Sequence, residues 1–389
     1  MSSGTLQSLL AAFDPEVPLE RASTIPNTWY TSPDVYALER DAVFAHTWQM
    51  VGRRERVARP GQFLTADVAG EPVLVVRGED GTLRAFFNVC RHRAARVCTD
   101  ECGTATKLRC HYHGWTYDLA GNLRGVPEFD GVENFRREDN GLPAVAVAEW
   151  GPFVWVHLTP PREPHGAAVK PGSAGDRLRG SLDTFLGPLV SWAETRKAFD
   201  GLKWYARRSY DLACNWKVYA DNYLDGGYHV NTVHPALAGA LDYREYRTVC
   251  DGHTVLQSAP TKPSEGDTGR TRTGDAAYWW LYPNFMLNSY AGVMDTNLVL
   301  PLAVDRCRVV FDFYFADAVG EEFKRQSVDV AEQVQQEDIG VCEEVQRNLS
   351  GRSYTTGRFS AKRENGGHYF HQMLGRELQS AERGTRNAE

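Results

Sequence analysis

The stretch CRHRAARVCTDECGTATKLRCHYHGW, from Cys90 to Trp115, holds four cysteines (90, 98, 102, 110) and three histidines (92, 111, 113) in 26 residues. Such density points to metal or disulfide chemistry. Cys90-Arg91-His92 reads C-x-H and Cys110-His111-Tyr112-His113 reads C-x-x-H, with 17 residues between them. Each short loop offers one thiolate and one imidazole. A structural zinc site more often pairs its cysteines within one loop as C-x-x-C. One Cys and one His per loop suit an asymmetric [2Fe–2S] cluster, with both sulfurs on one iron and both imidazoles on the other. Exchanging two thiolates for neutral imidazoles removes negative charge and raises the reduction potential.

The surrounding chain is that of an ordinary globular protein. It has 389 residues, 42% hydrophobic and 24% charged, enough for one large or two average domains. A net charge of -7 gives nucleic-acid binding no support. No apolar run approaches the roughly 20 residues of a membrane-spanning helix. The opening MSSGTLQSLLAAFDPE lacks a basic start, a long apolar core and a cleavage site, so a cytoplasmic protein is expected. In a reducing cytosol, clustered cysteines serve as metal ligands more often than as disulfides. Cys98 and Cys102 then read as free thiols filling the loop. Cys214, Cys250, Cys307 and Cys342 read as scattered, small buried hydrophobes.

Around the cluster the pattern is β. QFLTADV, PVLVVRG and TLRAFFNV are short apolar runs, and Asp80-Gly81 marks a tight turn between the last two. WTYDLAGNLRGV turns near Gly121, and WGPFVWVHL closes the region. Before it, SPDVYALERDAVFAHTW begins with Ser32 as a helix cap and Pro33 in the first turn. After it, TPPREPHGAAVKPGSAGD is rich in Pro and Gly and marks a boundary. The expected division is an N-terminal helical segment (1–46), a cluster domain (47–158), a linker (159–173) and a second domain (174–389). In the last, VLQSAP, FMLNSYAGVMDTNLVLPL and RVVFDFYF read as strands of one antiparallel sheet. Residues 321–349 read as a helix, with apolar spacing at Val330, Val334, Cys342, Val345 and Leu349 and a stop at Ser350-Gly351. Arg84, Arg91, Arg93, Arg96, Lys107 and Arg109 give the cluster loops a basic rim suited to an acidic electron donor.

The second domain carries NWKVYADNYLDGGYHVNTVHPAL, residues 215–237, with His229 and His234 close together. Asp221, Asp225 and His229 recur at i, i+4 and i+8, one face of a helix. Two histidines beside carboxylates, in a chain that already holds a redox cluster, suggest the two-His, one-carboxylate triad of non-haem Fe(II) oxygenases.

Gly114-Trp115 completes a C-x-x-H-G-W string, and with it the chain resembles the Rieske non-haem iron oxygenases over nearly its whole length. DNYLDGGYHV, LYPNF…MDTNLVLPL and QEDIGVCEEVQRNL look very like the choline monooxygenase group of that family. The resemblance implies an α+β protein: an all-β Rieske domain followed by a helix-grip catalytic domain, an antiparallel sheet with helices. It implies Cys90, His92, Cys110 and His113 as cluster ligands, with His111 between ligands and outside the set. It implies His229 and His234 as ligands of a mononuclear iron, with a carboxylate from a C-terminal helix; Asp338 fits and Glu337 is the alternative. Most members place a carboxylate that bridges the two metal centres at the position of Gly226. This chain departs from that pattern, and Asp225, then Asp221, are the candidates to replace it. The resemblance further implies O2 as co-substrate, a separate ferredoxin or reductase, and a homotrimer in which one subunit's His113 lies near the neighbour's Asp225. A choline-type substrate has no N–H to donate, so aromatic faces are its natural grip. Tyr223, Tyr228, Tyr278, Trp279, Trp280, Tyr282, Phe285 and Tyr290 are the available rings. An aromatic-ring dioxygenase α subunit needs the same metals; a non-catalytic Rieske carrier would lack the second iron.

Overall fold

The computed structural model describes residues 3–159, 181–234, 242–262 and 275–386. The expected linker falls almost wholly outside these residues. The described chain divides into two compact units, one of residues 44–185 and one of residues 1–43 with 186–389. Among the described residues no helix is long and apolar enough to cross a membrane.

Three short helices open the chain: α1 (Ser3–Ala11), α2 (Asn27–Thr31) and α3 (Pro33–Glu39). Ser32 caps α3 as its sequence suggests, its Oγ accepting from Val35 N–H. The 44–185 unit is then built on ten strands: β1 (Gln49–Arg53), β2 (Gln62–Val68), β3 (Glu71–Arg77), β4 (Leu83–Phe87), β5 (Cys102–Thr104), β6 (Leu108–Arg109), β7 (Thr116–Tyr117), β8 (Leu123–Gly125), β9 (Ala144–Trp150) and β10 (Phe153–His157). Seven form an antiparallel sheet in the order β1-β10-β9-β4-β3-β2-β5, and β6-β7-β8 form a small second sheet. The Asp80-Gly81 turn joins β3 to β4: Gly81 takes φ +76° and Asp80 Oδ1 accepts from Thr82 N–H at 3.0 Å. Phe63, Leu74, Phe86, Leu108 and Tyr117 belong to one apolar core that also takes in Cys90 and Cys110. The cluster loops are therefore seated on that core.

The other unit centres on a seven-stranded antiparallel sheet, ordered β11-β17-β16-β15-β14-β13-β12. Its strands are β11 (Leu202–Leu212), β12 (Arg247–Asp251), β13 (Thr254–Pro260), β14 (Asp275–Leu281), β15 (Phe285–Tyr290), β16 (Val293–Ala303) and β17 (Arg306–Ala316). Among the described residues, helices α4 (Pro188–Arg196), α5 (Trp216–Tyr223), α6 (Val230–Val233), α7 (Glu321–Leu349) and α8 (Asn365–Arg386) accompany it. The N-terminal helices are tied into this unit through charge. Lys217 Nζ donates to Glu39 Oε1 at 2.6 Å and Trp216 Nε1 to Glu39 Oε2 at 2.8 Å, with both ionic side chains fully buried. Burial pushes the Glu39 pKa up and the Lys217 pKa down. Each charge is tolerated only because the other faces it, so removing one partner costs about 3–5 kcal/mol.

Helix α7 runs over the residues expected of it, but only Cys342 and Leu349 of the expected apolar spacing lie on its buried face. Gln335, Asp338, Cys342, Gln346 and Leu349 are buried at helical spacing, whereas Val330 and Val345 are exposed at 38% and 40%. The valines line cavities rather than core: Val330 and Val334 one cavity, Val345 another. Polar side chains turn inward because this helix delivers hydrogen-bonding groups to α5 and its following turn.

Candidate metal centres

The Cys90 and Cys110 loops share one backbone design. Cys90 N–H donates to Ala95 O at 2.8 Å while its carbonyl accepts from Ala94 N–H; Cys110 N–H donates to Trp115 O at 2.9 Å while its carbonyl accepts from Gly114 N–H. The residue four after each cysteine is left-handed, Ala94 at φ +57° and Gly114 at +73°. Both cysteines are buried. The His92 and His113 rings meet at 4.5 Å between centroids, and His92 stacks on Trp115 at 5.0 Å with planes 7° apart. His92 is held; His113 is exposed.

His92 Nδ1 is buried with no hydrogen-bond partner. An orphaned ring nitrogen is costly unless something outside the chain satisfies it. With two adjacent buried sulfurs, the donor set suits the expected cluster. Burial lowers the His92 pKa, with His113 and Arg93 adding to it, which favours the neutral, ligand form. Tyr117 was not singled out from the sequence: its hydroxyl accepts from Arg91 N–H at 3.0 Å and shares a hydrogen bond with Cys90 Sγ at 3.5 Å. A hydrogen bond at a ligating sulfur tunes its potential. Cys98 and Cys102 are free thiols. Arg56 Nη1 reaches Cys102 Sγ at 2.8 Å, and Asn88 holds the loop by accepting from Val97 and Cys98 N–H. In the basic rim, Arg84 pairs with Asp80 and Arg96 with Asp67. Arg91, Arg93, Lys107 and Arg109 are exposed.

In the second unit, α5 is capped by Asn215, whose side chain accepts from Lys217 N–H. It ends at Tyr223, so Asp221, Asp225 and His229 do not lie on one continuous helix. Gly226 and Gly227 turn the chain at φ +69° and +68°. A Cβ at Gly226 would overlap the Arg363 carbonyl oxygen. This backbone therefore has no room for a side chain at the family's usual bridging position. The turn instead folds Asp225 back onto the next segment. Its carboxylate accepts from Tyr228 N–H at 3.0 Å, from His229 N–H at 2.9 Å and from His229 Nδ1 at 2.6 Å.

The single turn α6 then separates His229 from His234 and brings their Nε2 atoms to 3.1 Å. Asp338 on α7 completes the group: its Oδ1 lies 3.2 Å from His234 Nε2 and 3.7 Å from His229 Nε2. Among the described residues this is the group of three whose ligand atoms lie within 4.8 Å of one another. Carboxylates stand behind both rings. Asp225 holds His229 Nδ1, and Glu337 Oε2 holds His234 Nδ1 at 2.7 Å. Each carboxylate fixes the proton on Nδ1 and turns the Nε2 lone pair toward the shared point. Adjacent residues of α7 thus take opposite places, Glu337 behind His234 and Asp338 in front. Asn222 Nδ2 donates to Asp338 Oδ1 at 2.8 Å. Burial alone would lower the His234 pKa, but the facing Asp338 and Glu337 raise it.

Asp221 faces elsewhere. It accepts from Tyr30 OH at 2.5 Å and from His371 Nε2 at 2.8 Å. His371 Nδ1 accepts from Ile25 N–H, which leaves the ring proton on Nε2.

A cavity of about 500 Å³ opens on the histidines, lined by Tyr219, Tyr223, Tyr246, Tyr278, Tyr290 and Phe311 among others. Of the rings expected there, Tyr223, Tyr278 and Tyr290 line it. Trp279, Trp280, Tyr282 and Phe285 are core, and Tyr228 is exposed at 58%. Tyr219 was missed although it sits one helical turn before Asn222; Tyr246 and Phe311 carry no local signal.

Comparison with known proteins gives this geometry its setting. Residues 47–136 match the Rieske [2Fe-2S] domain, and residues 199–380 match the ring hydroxylating alpha subunit catalytic domain. Chloroplastic choline monooxygenase of Arabidopsis thaliana is 38% identical over 95% of this chain and 86% of its own length. The carnitine monooxygenase oxygenase subunit of Escherichia coli K12 is 30% identical over 91% and 94%. The crystal structure of a quaternary ammonium Rieske monooxygenase in complex with L-carnitine superposes with a TM-score of 0.74 at 26% identity, covering 96% of this chain and 98% of that one. Two metal-type donor sets, each on its matching domain, and relatives similar from end to end assign the chain to one family: it belongs to the Rieske non-haem iron oxygenases, which use a [2Fe–2S] cluster and a mononuclear iron.

Proposed function

We propose that this oxygenase hydroxylates a small quaternary-ammonium substrate, such as choline to betaine aldehyde hydrate or a related betaine. The observation that carries the reading is the His229–His234–Asp338 group opening on a ring-lined cavity of about 500 Å³. Relatives named for choline and carnitine support it. A trimethylammonium head takes no directed hydrogen bond. Aromatic faces attract it by about 0.5–2 kcal/mol per ring, and Tyr223, Tyr278 and Tyr290 are placed for that.

When bound, the cluster supplies single electrons and the iron activates O2, so that one oxygen atom enters a substrate C–H bond and the other leaves as water. Cys90, His92, Cys110 and His113 would hold the cluster; His229, His234 and Asp338 would hold the iron. Asp225 and Glu337 keep the two ring protons on Nδ1. Asn222 orients Asp338, and the tyrosines exclude water around the substrate. Electrons come from a separate ferredoxin or flavin/iron–sulfur reductase docking on Arg91, Arg93, Lys107 and Arg109. We place the protein in the cytoplasm as a homotrimer. A solved relative is described by its inter-subunit electron transfer. On that arrangement His113 donates to the neighbouring subunit's Asp225, which already accepts from its own His229. Asp225, rather than Asp221, is then the electron bridge, since Asp225 touches the candidate ligand His229 whereas Asp221 bonds Tyr30 and His371.

Turnover of a quaternary-amine panel with a surrogate reductase tests the substrate. Hydroxylation beside nitrogen or oxygen is expected, and cis-diol formation from an arene would replace this reading with a ring dioxygenase. About three irons per chain are expected, against two for a simple carrier. For the bridge, single-turnover decay of the reduced cluster is followed in iron-saturated Asp225→Asn. It should slow markedly, with Asp221→Asn slowing it less; unchanged decay removes the route.

A further inference from the structure

A chain of polar side chains runs along the wall of the ring-lined cavity. It starts between β15 and β16. Asn288 Nδ2 donates to Asp295 Oδ2 at 2.7 Å and to Asn297 Oδ1 at 2.9 Å, and Tyr223 OH donates to Asn288 Oδ1 at 2.8 Å. Asn297 Nδ2 then donates to Tyr219 OH at 3.3 Å, and Tyr219 OH donates to Gln335 Oε1 at 2.7 Å. All six residues line the cavity. Asp295 fixes the polarity of the chain, because a carboxylate only accepts. Asn288 must turn its amide nitrogen to Asp295 and Asn297. Asn297 must turn its own to Tyr219, and the single hydroxyl proton of Tyr219 is left for Gln335.

The chain ends on a donor with nothing to donate to. Gln335 is 1% exposed, and its Nε2 is buried without a hydrogen-bond partner. Rotating the amide would not help, since its oxygen is engaged by Tyr219. A buried donor left unsatisfied costs about 1–3 kcal/mol, and in a native protein such a group calls for a ligand or an ordered water. Gln335 lies three residues before Asp338 and, like it, on the buried face of α7. The unsatisfied donor therefore belongs to the wall that also carries the iron-binding carboxylate. Among the described residues nothing accepts from it, whereas an occupant of the cavity can.

We propose that the Gln335 amide selects the substrate through an oxygen atom. Nε2 donates to a hydroxyl or carboxylate oxygen carried by the quaternary amine, while the rings take the cationic head. This rests on the quaternary-ammonium reading above and narrows it. The preferred substrate bears an oxygen acceptor, and a plain tetraalkylammonium ion of the same size is rejected. Such an ion leaves the amide unpaired in a dry cavity, the asymmetry by which a site built for a polar group rejects the hydrocarbon analogue. Gln335 is a specificity residue, and no bond is made or broken at it.

Calorimetric binding to the iron-loaded holoenzyme, without reductant, tests this. Choline is paired with propyltrimethylammonium, in which a methyl replaces the hydroxyl. Glycine betaine is paired with isobutyltrimethylammonium, in which two methyls replace the carboxylate oxygens. The wild type should bind the oxygenated member of at least one pair about tenfold or more tighter than its hydrocarbon partner, and the pair that shows the gap identifies the oxygen. Gln335→Met, similar in length but without a donor, should close that gap by weakening the oxygenated ligand and leaving the hydrocarbon one as tight or tighter. A purely structural role would weaken both members alike, and that result overturns the proposal. So does a gap that survives in Gln335→Met, or equal affinities within both pairs in the wild type. Binding of none of the four by the wild type would instead bring down the quaternary-ammonium reading, and the role of Gln335 with it. The wild-type comparison needs no variant, and Gln335→Leu stands in if Gln335→Met folds poorly.

Discussion

The loops at Cys90 and Cys110 and the turn from Asp225 to His234 both present two imidazoles toward one point, but they hold them differently. Around His92 the support is apolar: Trp115 stacks on the ring, and its buried Nδ1 has no partner in the chain. Around His229 and His234 the support is ionic, a carboxylate on each Nδ1. Apolar packing around His92 favours its neutral form, and neutral imidazole in place of thiolate keeps the potential high. Carboxylates behind imidazole make it a stronger donor and fix its tautomer. One construction suits electron transfer without rearrangement, and the other suits a metal that must keep open positions.

Substitutions that strike one side of this contrast should leave the other intact. The largest effect is expected from His229→Ala, His234→Ala or Asp338→Ala. Each should lose one of about three irons and bring turnover to background while the visible bands of the cluster persist. Metal analysis beside the absorption spectrum decides it; retention of iron in Asp338→Ala with loss in Glu337→Ala would reverse the roles of those neighbours. Next comes Lys217→Ala, which strands Glu39 in the core. The catalytic unit should lose about 3–5 kcal/mol in denaturant unfolding, with cluster absorption unchanged in native buffer. Glu337→Gln should weaken iron binding about 10–100-fold through the freed His234 ring, measured by competition with a chelator. On the other side, His92→Cys or His113→Cys should lower the cluster potential by on the order of 100 mV, since thiolate adds negative charge. Spectroelectrochemistry reads this, and an unchanged potential would mean that the ring is not a ligand. Cys98→Ser and Cys102→Ser should do least, leaving the visible spectrum as it was.

The same contrast explains what could be read in advance. The cluster loops announce themselves because both Cys/His pairs fall within one short stretch on a hairpin scaffold. Tyr117 escaped notice because its role depends on a hydroxyl reaching back 27 positions to Cys90. The His229/His234 pair is also local. Asp338, 104 positions after His234, was placed by family resemblance, because no short-range spacing connects them. The helical reading of Asp221, Asp225 and His229 failed because α5 stops at Tyr223 and the left-handed pair Gly226-Gly227 follows, where periodicity would extend the helix. The strands and α7 were legible from alternation and spacing. The buried face of α7 was not, because hydrophobicity marks Val330 and Val345 whether they face a core or a cavity. The ring inventory failed similarly: strand alternation sends Tyr278 to the cavity and neighbouring Trp279 to a contact with Trp192 at 5.5 Å.

Helix α7 bears a consequence for how such a protein can change over time. Gln335 on Tyr219, Glu337 on His234, Asp338 before the histidines, and Glu343 and Gln346 on the Cys214 loop all lie on one uninterrupted helix. A helix advances about 100° per residue. One codon lost or gained between Gln335 and Gln346 would therefore swing part of this series off its partners at once. Hairpin tips such as Asp80-Gly81 have no such coupling and can lengthen or shorten freely. Natural variation in chain length should accordingly gather in the turns of the sheets and be absent from the middle of this helix, a pattern that a library of random single-codon deletions, sorted for bound iron, would reveal.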